Sequence, residues 1–226
     1  MQREIMPTAD GSVTIAIPEL QVTYHSKHGA IQESMHVFIE AGLRPLLHRQ
    51  EALRIFEMGF GTGLNALLTM IEAAQQHQKV YYEAVEAFPL EKELVTKLNY
   101  CEQTPDWQDK FEQLHTSLWS QPATLTPWFT LQKHSTALFN YSTNQPFNLV
   151  YYDAFAPNAQ PELWTVDAFT QLFSLLDDQG ILVTYCSKGD VRRAMKAAGF
   201  TVEKIPGPPG KREMIRAKKI IGNNEL

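Results

Sequence analysis

Acidic side chains at the ends of apolar runs are the residues of this chain best suited to chemistry. In VYYDAFAPNAQPELW, residues 150–164, an apolar run ends on Asp153, and Pro157 and Pro161 forbid its continuation as a strand. Glu57 lies within LRIFEM, and glycines follow at 59, 61 and 63. Glu86 ends KVYYEAVE, 23 residues beyond Gly63. A carboxylate inside a buried strand is costly unless it has a partner. Glu57 therefore suits steering of the glycine-loop amides or attraction of a cationic group such as an α-amino group.

Glycines between a strand and a helix allow a tight turn and close approach of a ligand to the backbone. Their spacing is Gly-x-Gly-x-Gly, whereas a dinucleotide fingerprint requires Gly-x-Gly-x-x-Gly. Glu86 at the next strand end can accept both hydrogen bonds of a ribose diol. Each feature alone has a bland counterpart, a solvated acid or an empty turn; together they favour a ribose. An ammonium and a sulfonium beside a ribose fit this acid-rich set better than a nicotinamide dinucleotide does, which points to S-adenosylmethionine. Asp153, followed by the stiff Phe155-Ala156-Pro157 stretch, is then suited to orient an amine beside a methyl donor. Nitrogen, methyl carbon and leaving sulfur must be nearly in line. The amine must also lose a proton, and a carboxylate beside an amine ordinarily favours the charged form. Proton loss to Asp153 and proton loss to water both stay open, as do stacking and core filling for Phe155.

These residues need a scaffold that brings strand ends together. GSVTIAIPELQVTYH reads as a hairpin broken at Pro18, and SMHVFIEAGLRPLL as a short helix ending near Gly42 and Pro45. LRIFEM is a strand, NALLTMIEAAQQH a helix, KVYYEAVE a strand and PLEKELVTKLNY a helix. Residues 101–128 look irregular; a strand near WFTLQK, a short helix from Thr136 and the strand FNLVYYD follow. Pro161 opens a helix through PELWTVDAFTQLFSLL, and GILVTYC, DVRRAMKAA and KREMIRAKKI read as strand, helix and strand. This alternation implies a largely parallel sheet with helices on both faces, whose ligands bind beyond the C-terminal strand ends.

The remaining composition narrows the classes. At 226 residues and 44% hydrophobic, the chain can bury one substantial core. No signal-peptide core or membrane-length run is visible, so a cytoplasmic protein with no membrane partner is expected. Cys101 and Cys186 have no short spacing, the seven histidines are scattered, and no metal is expected. The net charge of −5 conceals a split: Lys188–Lys219 carries ten Lys/Arg against three acids, or +7, leaving −12 elsewhere. Such asymmetry suits a polyanion-binding face, or equally a solvated helix and edge strand.

FEMGFGTGLN, VEAFPL, YYDAFAPNAQPELW, the run from Ser187 through Arg192-Arg193 to Phe200, and GKREM resemble the methyltransferase domain family of the bifunctional bacterial enzyme that completes 5-methylaminomethyl-2-thiouridine in tRNA. The YHSKHGAIQESMHVF segment resembles that family's N-terminal element, so the likeness runs from about Tyr24 to Ala217, loosest over 101–130. The resemblance implies an α/β class I, Rossmann-like methyltransferase fold with a mostly parallel seven-stranded sheet. It implies one domain, 1–226: an N-terminal hairpin and helix extension over 1–50, and a core over 51–226 with an insert near 101–128. It further implies S-adenosylmethionine as donor and, as substrate, the wobble aminomethyl uridine of tRNA, supplied by upstream enzymes. By matched position, Glu57, Gly59, Gly61, Gly63, Asn65 and Glu86 would serve the donor. Asp153, Phe155 and Pro157 would line the transfer site, and Arg192, Arg193, Lys211 and Arg212 would face tRNA. Where the family has an acid after the third strand, LQKHSTALF offers Ser135 or Thr136 for the adenine. Two other readings stand beside this one: an aminopropyltransferase of the spermidine synthase type, against which the basic C-terminal third speaks, and a non-catalytic RNA-binding module, against which the intact glycine loop speaks.

Overall fold

A computed structural model describes residues 2–221. The chain opens with β1 (Glu4–Pro7), β2 (Val13–Ile17) and β3 (Val22–Thr23), which pair as a small antiparallel sheet. Helix α1 (Ala30–Ser34) runs directly into a π-helical segment, Met35–Leu43. The core then alternates: β4 (Ala52–Met58), α2 (Leu64–Gln75), β5 (Lys79–Val85), α3 (Lys92–Val95), α4 (Gln108–Thr116), β6 (Ala123–Thr126), β7 (Phe129–His134), β8 (Phe147–Tyr152), α5 (Val166–Leu175), β9 (Leu176–Thr184), α6 (Gly189–Ala197), β10 (Thr201–Pro206) and β11 (Glu213–Lys218).

The main sheet has eight strands in the order β10-β11-β9-β8-β4-β5-β7-β6. From β9 to β7 every pairing is parallel; β11 and β6 run against this direction, and β10, antiparallel to β11, runs with it. Strand order reverses about β4, so the ends of β4, β5 and β8 meet at a switch point, where an open α/β sheet forms its binding crevice. Side chains alternate between two cores. Ile55, Leu149, Tyr151 and Val183 pack towards α2 and the π-helical segment, and Phe56, Val150, Tyr152 and Leu182 towards α5 and α6. Among the described residues no helix is long and apolar enough to cross a membrane.

Several elements differ from the sequence-based expectation. The expected seven strands become eight because β6 joins the edge as a hairpin partner of β7. The stretch 101–128 is not irregular throughout, since it also holds α4. That helix buries only Phe111 and Leu114, too little periodicity to announce itself. Its C-terminal carbonyls are satisfied by Lys133 from β7, whose Nζ donates to Leu114 O at 2.6 Å and His115 O at 2.9 Å. The helix expected from Pro89 to Tyr100 contracts to α3. Pro161 starts a 3-10 turn rather than the long helix; α5 begins after Thr165, whose hydroxyl accepts from Ala168 N. The helix before β4 does end near Gly42 and Pro45, its π-helical segment at Leu43 and a 3-10 turn at Leu46, and a Cβ on Gly42 would stand 3.0 Å from Val183 Cγ2 and 3.2 Å from the Tyr151 ring. Glycine at this position lets the helix lie close on β8 and β9.

Candidate active site at the strand switch point

The three acids singled out by sequence converge on one cavity and its immediate wall. Gly59, Gly61, Asn65, Glu86, Asp153 and Phe155 all line it. Glu57 lies just beneath, 1% exposed in β4. The glycine turn adopts positive φ at 59, 61 and 63, and a Cβ at Gly59 would meet Asp153 O at 3.1 Å. Gly59 N and Phe60 N both donate to Val85 O, and Asp153 N donates to Met58 O, so the turn is tied to β5 and β8. Glu86 accepts Gly61 N on Oε2 at 3.0 Å and Phe88 N on Oε1 at 2.8 Å. It therefore fixes the glycine loop while keeping further lone pairs for a diol.

Asn65, on the first turn of α2, joins the other two acids. Its Nδ2 donates to Glu57 Oε1 and to Asp153 Oδ2, both at 2.9 Å. Burial, opposed by the Asn65 hydrogen bond and reinforced by Asp153, holds the Glu57 carboxyl well above its usual range. Asp153 is pushed from 3.8 to about 7, first by burial and then by the charge of Glu33; the Asn65 hydrogen bond and Lys211 act the other way. Asn65 Oδ1 is a buried acceptor with no partner, and the second Glu57 oxygen stands beside the buried Tyr82 hydroxyl. An orphan acceptor and the free lone pairs of Glu86 on a glycine-floored cavity fit a ligand that brings an ammonium and a ribose.

The Asp153 shift has a direct consequence for stability. Between pH 3.8 and about 7 the unfolded chain has released a proton that the folded protein keeps, so stability falls as pH rises through that window. One group contributes about 1.4 kcal/mol per pH unit there, reaching about 4 kcal/mol at most. Asp153→Asn removes this loss. Denaturant unfolding at pH 4 and pH 7.5 is expected to show the variant gaining on the wild-type protein at the higher pH. A gain of the same size at both values would refute the assignment.

The loop after Asp153 is stitched in place by side chains. Phe155 N donates to Gln160 Oε1 at 3.0 Å, Trp164 Nε1 to Phe155 O at 2.8 Å, and Tyr185 Oη to Ala154 O at 2.7 Å. Phe155 meets Tyr24 edge-on, with ring centroids 5.0 Å apart. This aromatic pair lines both the glycine-floored cavity and a second, more open cleft that also contains Glu33, Tyr185 and Lys211. Asp153 lines the first of these, and the second adjoins it through Ala154 and Phe155.

Other residues named from the sequence are more dispersed. Pro157, Lys211 and Arg212 line an adjoining groove. Arg192 and Arg193 stand apart on α6 and line neither cleft nor groove; Arg193 pairs with Asp190. Ser135 is exposed and lies outside the cavity lining, and His134 beside it turns to Glu83, 3.4 Å away. Gly63 carries the positive φ that begins α2, with His115 Nε2 2.9 Å from where its Cβ would be. Sequence reasoning missed Arg3, Tyr24, His25 and Gln160, all on the cavity wall. Arg3 donates to Phe88 O and Pro89 O, fastening the N-terminal sheet over the site. No local pattern marks such a role; only an aromatic next to a strand end hinted at Tyr24. Among the described residues no group of three or more His, Cys, Asp or Glu could hold a metal ion.

Comparison with known proteins adds to this geometry. Residues 99–220 match a family model described as S-adenosyl-L-methionine-dependent methyltransferase. The tRNA 5-methylaminomethyl-2-thiouridine biosynthesis bifunctional protein MnmC of Magnetococcus marinus is 32% identical over 209 residues, covering 86% of this chain. The chain spans about a third of that relative, the match covering 31% of its length. The crystal structure of MNMC2 from Aquifex aeolicus superposes with a TM-score of 0.75 at 25% identity, over 96% of this chain and 70% of that one. Spermidine synthase from Thermotoga maritima shares the fold, with a TM-score of 0.57 at 13% identity over 97% of this chain and 69% of the other.

Proposed function

Because this chain belongs to the S-adenosyl-L-methionine-dependent methyltransferase family, we propose that it methylates the exocyclic nitrogen of a wobble 5-aminomethyl-(2-thio)uridine in tRNA. The substrate follows from the tRNA modification that the Magnetococcus relative is named for and from the likeness to the Aquifex structure. The observation that carries the reading is the Asn65 bridge, which links a buried acid beneath the glycine turn to an acid of raised pKa on the wall of the same cavity.

S-adenosylmethionine supplies an electrophilic methyl group on a sulfonium. In this reading Gly59, Gly61 and Gly63 give the donor an unobstructed backbone, and Glu86 takes the ribose hydroxyls. Asn65 Oδ1 and Glu57 Oε2 take the ammonium of its amino-acid end. Asp153 holds the acceptor nitrogen. With a pKa near 7 it accepts a proton more readily than an ordinary carboxylate, which favours it over water as the proton's destination. Phe155 and Pro157 wall the transfer site, and Lys211 and Arg212 offer positive charge beside it. Arg192 and Arg193 belong to the outer tRNA surface in this reading. Residues 1–226 act as one methyltransferase domain in the cytoplasm, with 1–50 as its roof. Ser135, solvent-facing and outside the cavity, is at most peripheral to the donor.

The test is transfer of labelled methyl from S-adenosylmethionine to tRNA from cells lacking this gene, followed by nucleoside mass spectrometry. Label in 5-methylaminomethyl uridine is the expected result. Absence of label on tRNA shown to carry the aminomethyl group would overturn the reading. Activity instead with decarboxylated donor and a polyamine would mark an aminopropyltransferase.

A further inference from the structure

Glu33 of α1 and Lys211 of the turn before β11 are 178 positions apart in sequence and meet at the mouth of the acceptor cleft. Lys211 Nζ lies 2.7 Å from Glu33 Oε1 and 4.0 Å from the centroid of the Tyr185 ring. The two partners differ in freedom. The Glu33 side chain is 10% exposed, and its second oxygen accepts Ser26 N at 2.7 Å, so it is anchored. The Lys211 side chain is 35% exposed on a flexible stem that can swing outward. A buried carboxylate that loses its only cation is strongly penalised. Lys211 can therefore leave only if another cation takes its position.

An amine-bearing nucleotide provides what this arrangement needs, an ammonium and a phosphate on one molecule. Resting on the methyltransferase reading above, we infer that Glu33 and Lys211 are an exchangeable recognition pair. The acceptor's ammonium replaces Lys211 at Glu33, and the released Lys211 engages a phosphate of the acceptor RNA. The pair selects against RNA that lacks the amine, because freeing Lys211 would then leave Glu33 buried and unpaired. Discrimination of this kind, by stranding a buried polar group, exceeds what added contacts alone deliver. The captured amine lies in a cleft that shares Tyr24, His25, Ala154 and Phe155 with the donor cavity, one aromatic pair away from Asp153. Glu33 is thus a specificity residue that meets the charged amine on binding, before the same nitrogen reaches Asp153 for transfer and Lys211 returns to Glu33.

The test uses two short anticodon stem-loop RNAs, one with 5-aminomethyluridine at the wobble position and one with uridine, and the full chain. Wild-type protein is expected to bind the amine-bearing RNA at least about tenfold more tightly. Glu33→Gln should weaken binding of that RNA and strengthen binding of the uridine RNA, since Lys211 is then free for phosphate, and the preference should collapse towards one. Lys211→Met, which leaves Glu33 in place, should keep or enlarge the preference while lowering dependence on salt for the amine-bearing RNA. The inference is overturned if Glu33→Gln retains the preference, or if Lys211→Met loses it, because the two would then be a purely structural tie. Methylation of the amine-bearing RNA by wild-type protein, run in parallel, separates these results from failure of the proposed function itself.

Discussion

Asp153→Ala abolishes methyl transfer, by at least about 10³-fold in kcat, while the protein still binds S-adenosylmethionine. The split follows from what the side chain touches. Asp153 is at the acceptor side of the Asn65 bridge, and its removal leaves the Asn65–Glu57 contact at 2.9 Å and the Glu86 contacts to the glycine loop intact. Its backbone amide still donates to Met58 O, so β8 keeps its register at the strand end. Folding should not suffer either, since a buried acid held near pH 7 costs stability rather than lending it at neutral pH. Single-turnover kinetics together with calorimetric titration of the donor measures both halves. Turnover within tenfold of wild type would remove Asp153 from the mechanism.

Glu86→Ala produces the opposite split: donor affinity falls by about 10²-fold or more, and kcat at saturating donor stays near the wild-type value. Two main-chain amides, Gly61 N and Phe88 N, lose a carboxylate acceptor, and a ribose diol loses its partner. Hydrogen bonds to a charged group contribute about 1.5–3 kcal/mol each, and about 1.4 kcal/mol is a factor of ten in binding. Glu86→Gln keeps one acceptor oxygen and should fall between the two. Titration with donor and with its demethylated product reads the effect. Unchanged affinity in Glu86→Ala would mean that this acid only caps the loop and does not meet the ligand.

In the proposed reading the two substitutions separate because Glu86 and Asp153 follow different strands, β5 and β8, a division already legible in the sequence. Asp153, Glu86 and Gly59–Gly63 each announce themselves by local signals: an apolar run that stops, a proline or glycine that forbids continuation, and a spacing that matches strand, turn and helix. Backbone sterics and side-chain periodicity act over a few residues, so neighbours in sequence encode them. The parallel order of the central strands follows from the same alternation. Weakly periodic pieces escaped. Helix α4 buries two side chains and depends on Lys133 to satisfy its last carbonyls, an interaction 18 and 19 positions long. Gly42 is legible as a residue near a helix end, but the close approach to β8 and β9 that excludes a side chain there is not.

What tertiary structure alone decided is which groups share charge and hydrogen bonds across the crevice. Nothing near Asn65 in sequence says that one amide nitrogen will bridge Glu57 and Asp153, 8 and 88 positions away. Nothing near Glu33 says that it will pair with Lys211, or that its charge will raise the Asp153 pKa. The Tyr24 ring reaches the glycine turn and Phe155 because Arg3 and Asn99 fasten the N-terminal sheet to the core. Desolvation and Coulomb interactions depend on distance in space, and chain separation carries no information about that distance until the sheet has closed. Residue types and turn chemistry thus determined which atoms could react, and packing determined their protonation and their company.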